Sequence, residues 1–172
     1  IFKQVLGDMH VSGVEISSTA DVPGGTGLGS SSTFTVGLLN TLYCYKGRFA
    51  SKAKLAAEAC EVEIEKLKSP IGKQDQYAAA FGGLNFIRFN QDGTVSVAPI
   101  MMQAETYKKL QKNLMMFYTG TTRSANGILS EQKKNIAQKD KTKNLLKMCD
   151  LAYEMKDALE HNDVSSFGDI LN

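Results

Sequence analysis

The chain has 172 residues, of which 42% are hydrophobic and 22% are charged. This composition is typical of a folded globular protein and not of a disordered segment. The formal net charge of +2 is too small to predict binding to nucleic acid or to an anionic membrane surface. No stretch approaches the roughly 18 consecutive apolar residues that a membrane-spanning helix needs.

The cysteines favour a cytoplasmic protein. The first residues, Ile1 to Gln4, show no basic segment followed by an apolar run, so no secretory signal is visible in this stretch, and a preceding segment could carry one. The chain does not begin with Met, and we therefore expect a fragment of a longer protein. Cys44, Cys60 and Cys149 are odd in number and far apart, which favours three reduced thiols, partly buried in helices, over a disulfide framework or a metal site.

The first part of the chain reads as strand, loop and helix. Residues 13–20 alternate apolar and polar side chains, which predicts a strand. Residues 21–29 are rich in glycine and predict a loop. A helical pattern of apolar residues begins at Ser30 and is expected to end at Gly47.

A second helix and a hairpin follow. Ser51 can cap a helix whose apolar residues recur at helical spacing as far as Leu67. Residues 84–89 and 94–98 read as two strands, and the Asn-Gln-Asp-Gly sequence between them is typical of a hairpin turn.

The last third of the chain predicts one strand and several helices. Residues 114–118 form an apolar strand candidate, in which Met115 and Met116 are expected to be core residues. Helical patterns run over 122–137 and 141–160, and a short helix is expected after residue 163. The order of strands and helices predicts an α+β fold in two lobes.

Between the first strand and the first helix lies a segment suited to binding an anion. Its candidate phosphate-binding residues are Gly25, Thr26, Gly27, Leu28, Gly29, Ser30, Ser31 and Ser32. Glycines let backbone amides face a ligand without interference from Cβ, and a helix N-terminus adds further amides and a positive dipole end. The serine hydroxyls can donate to phosphate oxygens or bind Mg²⁺. The alternative is a glycine turn with a purely structural role.

Two common phosphate motifs do not match this segment. A Walker A loop needs Lys directly after its last glycine, but Ser30 follows Gly29. The dinucleotide pattern G-x-G-x-x-G reaches Ser30 when it starts at Gly25, and Ser32 when it starts at Gly27. A redox domain that binds dinucleotides is therefore disfavoured.

The segment instead resembles the second signature of the GHMP kinases, P-x-x-x-G-L-G-S-S followed by small residues. The matching residues are Pro23, Gly27, Leu28, Gly29, Ser30 and Ser31. Ser32 and Thr33 replace the more usual pair of alanines. The resemblance implies transfer of the γ-phosphoryl group of ATP to a hydroxyl of a small substrate, with ATP and Mg²⁺ as cofactors.

A second informative segment surrounds Asp75. Taken alone, an aspartate here is as well explained as an N-cap or first-turn residue of a helix. However, the Gly72-Lys73-Gln74-Asp75-Gln76 sequence resembles the G-x-x-D-Q-like segment of the same family. The resemblance implies that Asp75 orients the acceptor hydroxyl and takes its proton as the catalytic base.

The resemblance also implies the residues that hold the metal. Ser31 matches the serine of the family that contacts Mg²⁺, and the preceding helix offers Glu61, Glu63 and Glu65. Counting back from the aspartate segment points to Glu63. This assignment needs a one-residue insertion, so Glu65 stays open, and at least one of the three is expected to be solvated helix surface.

The amino-acid sequences of both segments resemble those of one branch of the family. That branch phosphorylates D-glycero-D-manno-heptose 7-phosphate at its anomeric hydroxyl, for the synthesis of nucleotide-heptose and surface polysaccharides. The residues assigned to the substrate on this basis are Lys73, Gln76, Gly82, Gly83 and Arg123. Cationic Lys73 and Arg123 suit a sugar phosphate. Solvated or structural roles for these two residues are equally open.

The resemblance further implies a ribosomal-protein-S5-domain-2-like lobe over residues 1–100 and the start of a ferredoxin-like lobe over residues 101–172. The first family signature is expected before Ile1 and the third after Asn172, so we expect weak or no activity from this stretch alone. The alternatives are a kinase for galactose, fucose, mevalonate or homoserine, and a non-catalytic nucleotide-binding relative. The oligomeric state, with a homodimer as one option, stays open.

Overall fold

The computed structural model describes residues 1–22, 24–117 and 139–172, with the side chains of 139–141 left aside. The chain divides into two compact units, and the division falls between Gly83 and Leu84. The boundary at residue 100 was predicted for the two lobes of the family fold, which is a different division of the chain, and it stays a prediction. No helix in the described ranges combines the length and the apolarity that a bilayer crossing demands.

The first unit is built from helices. They are α1 (Phe2–Asp8), α2 (Ser30–Tyr45), α3 (Lys52–Cys60), a π-helical turn (Glu61–Lys66) and α4 (Gln74–Phe81). The predicted start of α2 at Ser30 is confirmed, and the chain leaves α2 through Gly47, whose φ is +63°. The predicted cap of α3 is also confirmed, because the Ser51 side chain accepts a hydrogen bond from the backbone N–H of Lys54 at 3.2 Å.

Helix α2 forms the centre of the core of this unit. It contributes Leu39 and Leu42, which are 3% and 2% exposed. The buried residues of the core are Val5, Val36, Leu38, Leu39, Leu42, Tyr43, Ala50, Leu55, Ala59 and Val62. Burial of apolar side chains contributes roughly 25 cal/mol per Å², so these contacts stabilise α2, whose first residues follow the glycine-rich segment.

Helix α1 is absent from the sequence-based prediction. Val5 inserts fully into the core, and the Lys66 ammonium forms ion pairs of 2.9 Å with both Asp8 and Glu61. The Lys66 hydrogen bond lowers the pKa of Asp8. These contacts join α1 to the π-helical turn.

The strand predicted over residues 13–20 is wrong. This segment has no regular hydrogen-bonded structure, although Ile16 packs against the core as its apolar position suggests. A strand requires a hydrogen-bonding neighbour, and the described residues of the first unit contain no other strand.

The second unit contains strands and helices. They are β1 (Asn85–Phe89), β2 (Val95–Pro99), α5 (Ala104–Asn113), α6 (Lys139–Glu160) and α7 (Val164–Leu171). The predicted hairpin is confirmed: β1 and β2 pair antiparallel in a register that sets Ile87 opposite Val97. The turn is closed by Asn90, whose N–H donates to the Thr94 carbonyl at 2.9 Å. Helices together with this sheet confirm the α+β class.

A small core organises the second unit. Leu110, Leu159 and Val164 are its buried residues, and the rings of Phe86 and Tyr153 lie 4.9 Å apart, so the hairpin contacts α6. Helices α6 and α7 are confirmed, and the Asp163 carboxylate caps α7. Helix α5 was not predicted.

The strand predicted over residues 114–118 is wrong for residues 114–117, which the structure describes. Residues 114–117 form no strand, and Met115 and Met116, expected in the core, are each 78% exposed. Within the part of the chain that the structure describes, no strand pairs with this segment. Tyr118, the predicted helix over 122–137 and Arg123 lie outside the described residues.

Candidate active site

The glycine loop, residues 24–29, leads directly into the N-terminus of α2. Gly25, Gly27 and Gly29 have φ values of +78°, +80° and +66°, a region that residues with a Cβ seldom adopt. Gly29 is the N-cap of α2, and no side chain caps the helix there. The first amides of α2 are thus left for another acceptor, which is the arrangement that binds anions at helix N-termini.

The three serines after the loop differ in exposure. Ser31 is exposed and Ser30 is half-buried, whereas Ser32 is only 2% exposed. The Ser31 carbonyl accepts a hydrogen bond from the hydroxyl of Thr35, a fully buried residue, at 2.9 Å. The first turn of α2 therefore presents Ser30 and Ser31 to the loop and turns Ser32 inwards.

The structure distinguishes the three candidate glutamates. Glu61 is paired with Lys66 and Glu65 is exposed. Glu63 is 1% exposed and accepts a hydrogen bond on Oε1 from the Ser31 hydroxyl at 2.5 Å. All three lie on the π-helical turn, a feature that often occurs at functional sites.

A third element completes the Ser31–Glu63–Gln76 cluster. Gln76, in α4, is fully buried, and its Nε2 donates to Glu63 Oε2 at 2.6 Å. No Lys or Arg in the described ranges forms an ion pair with Glu63. The buried carboxylate is therefore compensated by two neutral donors from two other elements.

Asp75 lies against the glycine loop. It is exposed, in the first turn of α4, where the helix dipole favours a carboxylate. A Cβ built on Gly29 would lie 3.3 Å from both Cβ and Cγ of Asp75 and 3.4 Å from its Oδ2. The last glycine of the loop therefore lies so close to the predicted base that a larger residue would crowd it.

The described residues could hold a divalent cation with few protein ligands. Within the described ranges, no group of three or more His, Cys, Asp or Glu side chains comes together. Ser31 Oγ and Glu63 Oε1, 2.5 Å apart, are hard oxygen donors of the kind that suits Mg²⁺ when phosphate and water complete its coordination. The cluster therefore fits the predicted ion.

Other predicted substrate residues are not gathered at this cluster. Gly82 and Gly83 follow the C-terminal end of α4 with φ values of +64° and +75°, roughly 10 Å along the helix from Asp75 at 1.5 Å per residue. Lys73 directly precedes α4 and is exposed. Leu28, which was predicted to bind the ATP phosphates, is 55% exposed.

A cavity beside the loop was missed by the sequence analysis. Its volume is about 550 Å³, and it lies between residues 16–22, Leu28 and one face of α2, within the size range of small-ligand sites. Thr33, Gly37 and Thr41 of its lining are small residues four apart along α2. This spacing was the available signal, because it leaves room along one helix face.

Three features come together at this site: a glycine loop at a helix N-terminus, a buried carboxylate that holds a serine of that helix, and an aspartate close to the loop. Residues 1–83 match the profile of the GHMP kinases N terminal domain. The chain belongs to the GHMP kinase family, as its motifs predicted.

Two curated proteins that are similar to this chain are kinases of sugars. The D-glycero-alpha-D-manno-heptose 7-phosphate kinase of Campylobacter jejuni is 32% identical over 152 residues, which are 88% of this chain and 45% of the relative. A galactokinase of Pyrococcus furiosus is 29% identical over 128 residues, 74% of this chain and 35% of the relative.

A solved structure is similar over the whole chain. The crystal structure of a D-glycero-D-manno-heptose 1-phosphate kinase from Bacteroides thetaiotaomicron aligns with a TM-score of 0.76 and 28% identity, covering 99% of this chain and 50% of that one. The chain spans half or less of the length of these relatives.

Proposed function

We propose that the protein is an ATP-dependent sugar kinase that phosphorylates the anomeric hydroxyl of D-glycero-D-manno-heptose 7-phosphate. The observation that carries this proposal is the close approach of Asp75 to Gly29, where an added Cβ would lie 3.3 Å from the Asp75 side chain. A phosphoryl acceptor must be held within a few ångströms of both its base and the phosphate. A carboxylate against the last glycine of an anion-binding loop meets that condition.

Each residue of the site has a role in this reaction. Amides of the glycine loop and of the first turn of α2 bind the ATP phosphates, and Ser31 and Glu63 would hold Mg²⁺. When bound, Mg²⁺ supplies neutralisation of the phosphate charge. Asp75 accepts the proton of the sugar hydroxyl while the hydroxyl oxygen bonds to the γ-phosphorus. The bond between the γ-phosphorus and the oxygen that bridges it to the β-phosphate breaks, and ADP leaves.

The choice of sugar rests on the relatives. Both the curated Campylobacter relative and the Bacteroides structure are kinases named for a phosphorylated heptose. Lys73 is exposed and lies two residues before Asp75 in the sequence, and we assign Lys73 and Arg123 to the phosphate of such a substrate. The product would serve nucleotide-heptose and surface polysaccharide synthesis in the cytoplasm, where ATP is available.

The first experiment compares the complete protein with its Asp75→Asn variant in an assay of ADP release with ATP, Mg²⁺ and heptose 7-phosphate. Loss of a general base lowers turnover by about 10²- to 10⁴-fold, so we expect such a fall while ATP affinity stays within a few fold. Asp150→Asn, an exposed site on α6, is the matched control and should keep native turnover.

Two outcomes would contradict the proposal. Full turnover by Asp75→Asn would remove the base assignment. Absence of ADP release by the native protein with any sugar offered would remove the assignment to sugar phosphorylation. The galactokinase relative makes galactose a necessary member of the panel: phosphorylation of galactose or fucose, without activity on the heptose phosphate, would keep the class and reject the substrate.

A further inference from the structure

We propose that Gln76 is a positioning residue that holds the Glu63 carboxylate in place for the divalent cation, and that it makes no contact with the sugar. This inference rests on the proposed function, which makes Glu63 a ligand of the cation. It also gives a specific role to Gln76, which the resemblance to the family motif assigned to the substrate.

The contacts of the Glu63 carboxylate carry the first part of the argument. Oε1 accepts from Ser31 Oγ at 2.5 Å, and Oε2 accepts from Gln76 Nε2 at 2.6 Å. The terminal torsion of a glutamate is otherwise broad and soft. Because the two oxygens are held from α2 and α4, the carboxylate cannot turn without breaking one of these bonds, and its Oε1 stays beside the serine hydroxyl.

Burial carries the second part. Gln76 is 0% exposed and Glu63 is 1% exposed, so the Gln76 side chain has no surface to offer a substrate. A buried carboxylate without a cationic partner is costly, and the described residues supply Glu63 with neutral donors only. No cationic side chain among the described residues therefore competes for Glu63, and Gln76 fixes the direction of its carboxylate. Partners of this kind orient ligands in many metal sites.

The unused end of the amide carries the third part. Within the described residues, Gln76 Oε1 is buried and has no hydrogen-bond partner. An orphaned buried acceptor costs free energy of folding, so an apolar side chain of the same shape would serve packing better. The hydrogen bond from Gln76 Nε2 to Glu63 Oε2 therefore explains why an amide occupies this buried position.

The test measures cation affinity directly. Mn²⁺, which substitutes for Mg²⁺ and is visible by electron paramagnetic resonance, is titrated into the complete protein with a non-hydrolysable ATP analogue. Gln76→Met keeps the length of the side chain and removes the N–H donor. We expect it to weaken Mn²⁺ binding about 10- to 100-fold, whereas Gln74→Met, at an exposed glutamine of the same helix, should leave it unchanged.

Glu63→Gln and the double variant complete the experiment. Glu63→Gln should weaken Mn²⁺ binding at least as much as Gln76→Met, and the double variant should lose little more than Glu63→Gln, because Gln76 acts through Glu63. Gln76→Asn, whose amide is too short to reach Oε2, replaces Gln76→Met where circular dichroism shows that the methionine variant does not fold. It is expected to show the same loss.

The outcomes separate this inference from the proposed function. Native Mn²⁺ affinity in Gln76→Met, together with a loss in Glu63→Gln, overturns the inference and leaves the function standing. Native affinity in Glu63→Gln removes the cation assignment itself. An unchanged Mn²⁺ affinity in Gln76→Met with a raised KM for the sugar phosphate would show a substrate contact instead.

Discussion

At the scale of the residue, Gly29 satisfies two separate requirements. Its φ of +66° lies where L-residues are strained, and its Cα faces Asp75 so closely that a methyl group would come within 3.3 Å of that side chain. Glycine lets the loop turn, and it also lets the predicted base approach the anion site. The first requirement was foreseen from the motif; the second depends on a residue 46 positions away and was not.

A glycine-to-alanine series separates these requirements. Gly24 has neither a positive φ nor a neighbour within 4 Å of its added Cβ, and Gly27 has a φ of +80° in open space. We expect Gly24→Ala to be near neutral and Gly27→Ala to lower the free energy of unfolding by about 1–2 kcal/mol, the cost of the left-handed conformation. Gly29→Ala should cost more, because Asp75 must also move.

Urea unfolding of the three variants gives the comparison, and ADP release shows whether turnover follows. If Gly29→Ala is no more costly than Gly27→Ala, the close contact with Asp75 is not a constraint on the loop.

Also at this scale, the choice among Glu61, Glu63 and Glu65 illustrates a limit of sequence reasoning. Counting along the family pattern pointed to Glu63 but left Glu65 open. The π-helical turn changes which positions face inwards, and helical periodicity does not foresee it. The structure buries Glu63 beside Ser31 and leaves Glu65 exposed.

At the scale of the element, Asn162 links two helices of the second unit. It follows α6 with a φ of +64°. Its Oδ1 accepts from the backbone N–H of Gln103, at the start of α5, and from the Thr106 hydroxyl, each at 2.8 Å. The backbone of Asn162 thus follows the end of α6 in a left-handed conformation, and its side chain binds the beginning of α5.

Replacements of Asn162 should rank by what they remove. Asn162→Gly keeps the backbone conformation and loses the acceptor of two hydrogen bonds, each of which contributes about 0.5–1.5 kcal/mol. Asn162→Ala loses the acceptor and adds the strain of a positive φ, roughly another 1 kcal/mol. Asn162→Asp keeps an acceptor and should be the mildest. Thermal unfolding measures the order, and an alanine variant as stable as the glycine variant would contradict it.

Helices and the hairpin were predicted better than isolated strands. Helix α2 and the β1–β2 hairpin satisfy their hydrogen bonds locally, so their signals lie in a short stretch of sequence. Residues 13–20 and 114–117 carry apolar patterns typical of strands, yet each would need a distant partner. The described chain provides none for them.

At the scale of the whole molecule, solvent exposure divides the three cysteines of this chain into two reactive thiols and one protected thiol. Cys44 in the first unit and Cys149 in the second are exposed and free. Cys60 is 6% exposed. Burial raises the pKa of its thiol from the ordinary value of 9.0 to about 11; the charge of Lys73 opposes the shift, and Glu63 and Glu65 add to it.

We therefore expect Cys44 and Cys149 to react rapidly with Ellman's reagent at pH 8 and Cys60 only after unfolding, because attack requires an accessible thiolate. Cys60→Ala should leave the number of rapid thiols unchanged, whereas Cys44→Ala should lower it by one. A loss of one rapid thiol in Cys60→Ala would contradict the burial of Cys60.

The pH dependence has a defined sign. Because the folded-state pKa of Cys60 is raised, the neutral thiol favours the folded state below the ordinary value of 9.0. That contribution is lost as the pH rises from 9.0 through about 11.

The sequence by itself determined the features that depend on neighbours along the chain: the glycine loop, the helix that begins at Ser30, the hairpin, and the motifs that place the chain among the GHMP kinases. Only the tertiary structure decided that Glu63 is the buried glutamate, that Gln76 binds it, and that Asp75 touches Gly29. The physical reason is that these contacts join α2, the π-helical turn and α4 through a shared core. Which side chains meet there depends on how the helices pack, and no local pattern encodes it.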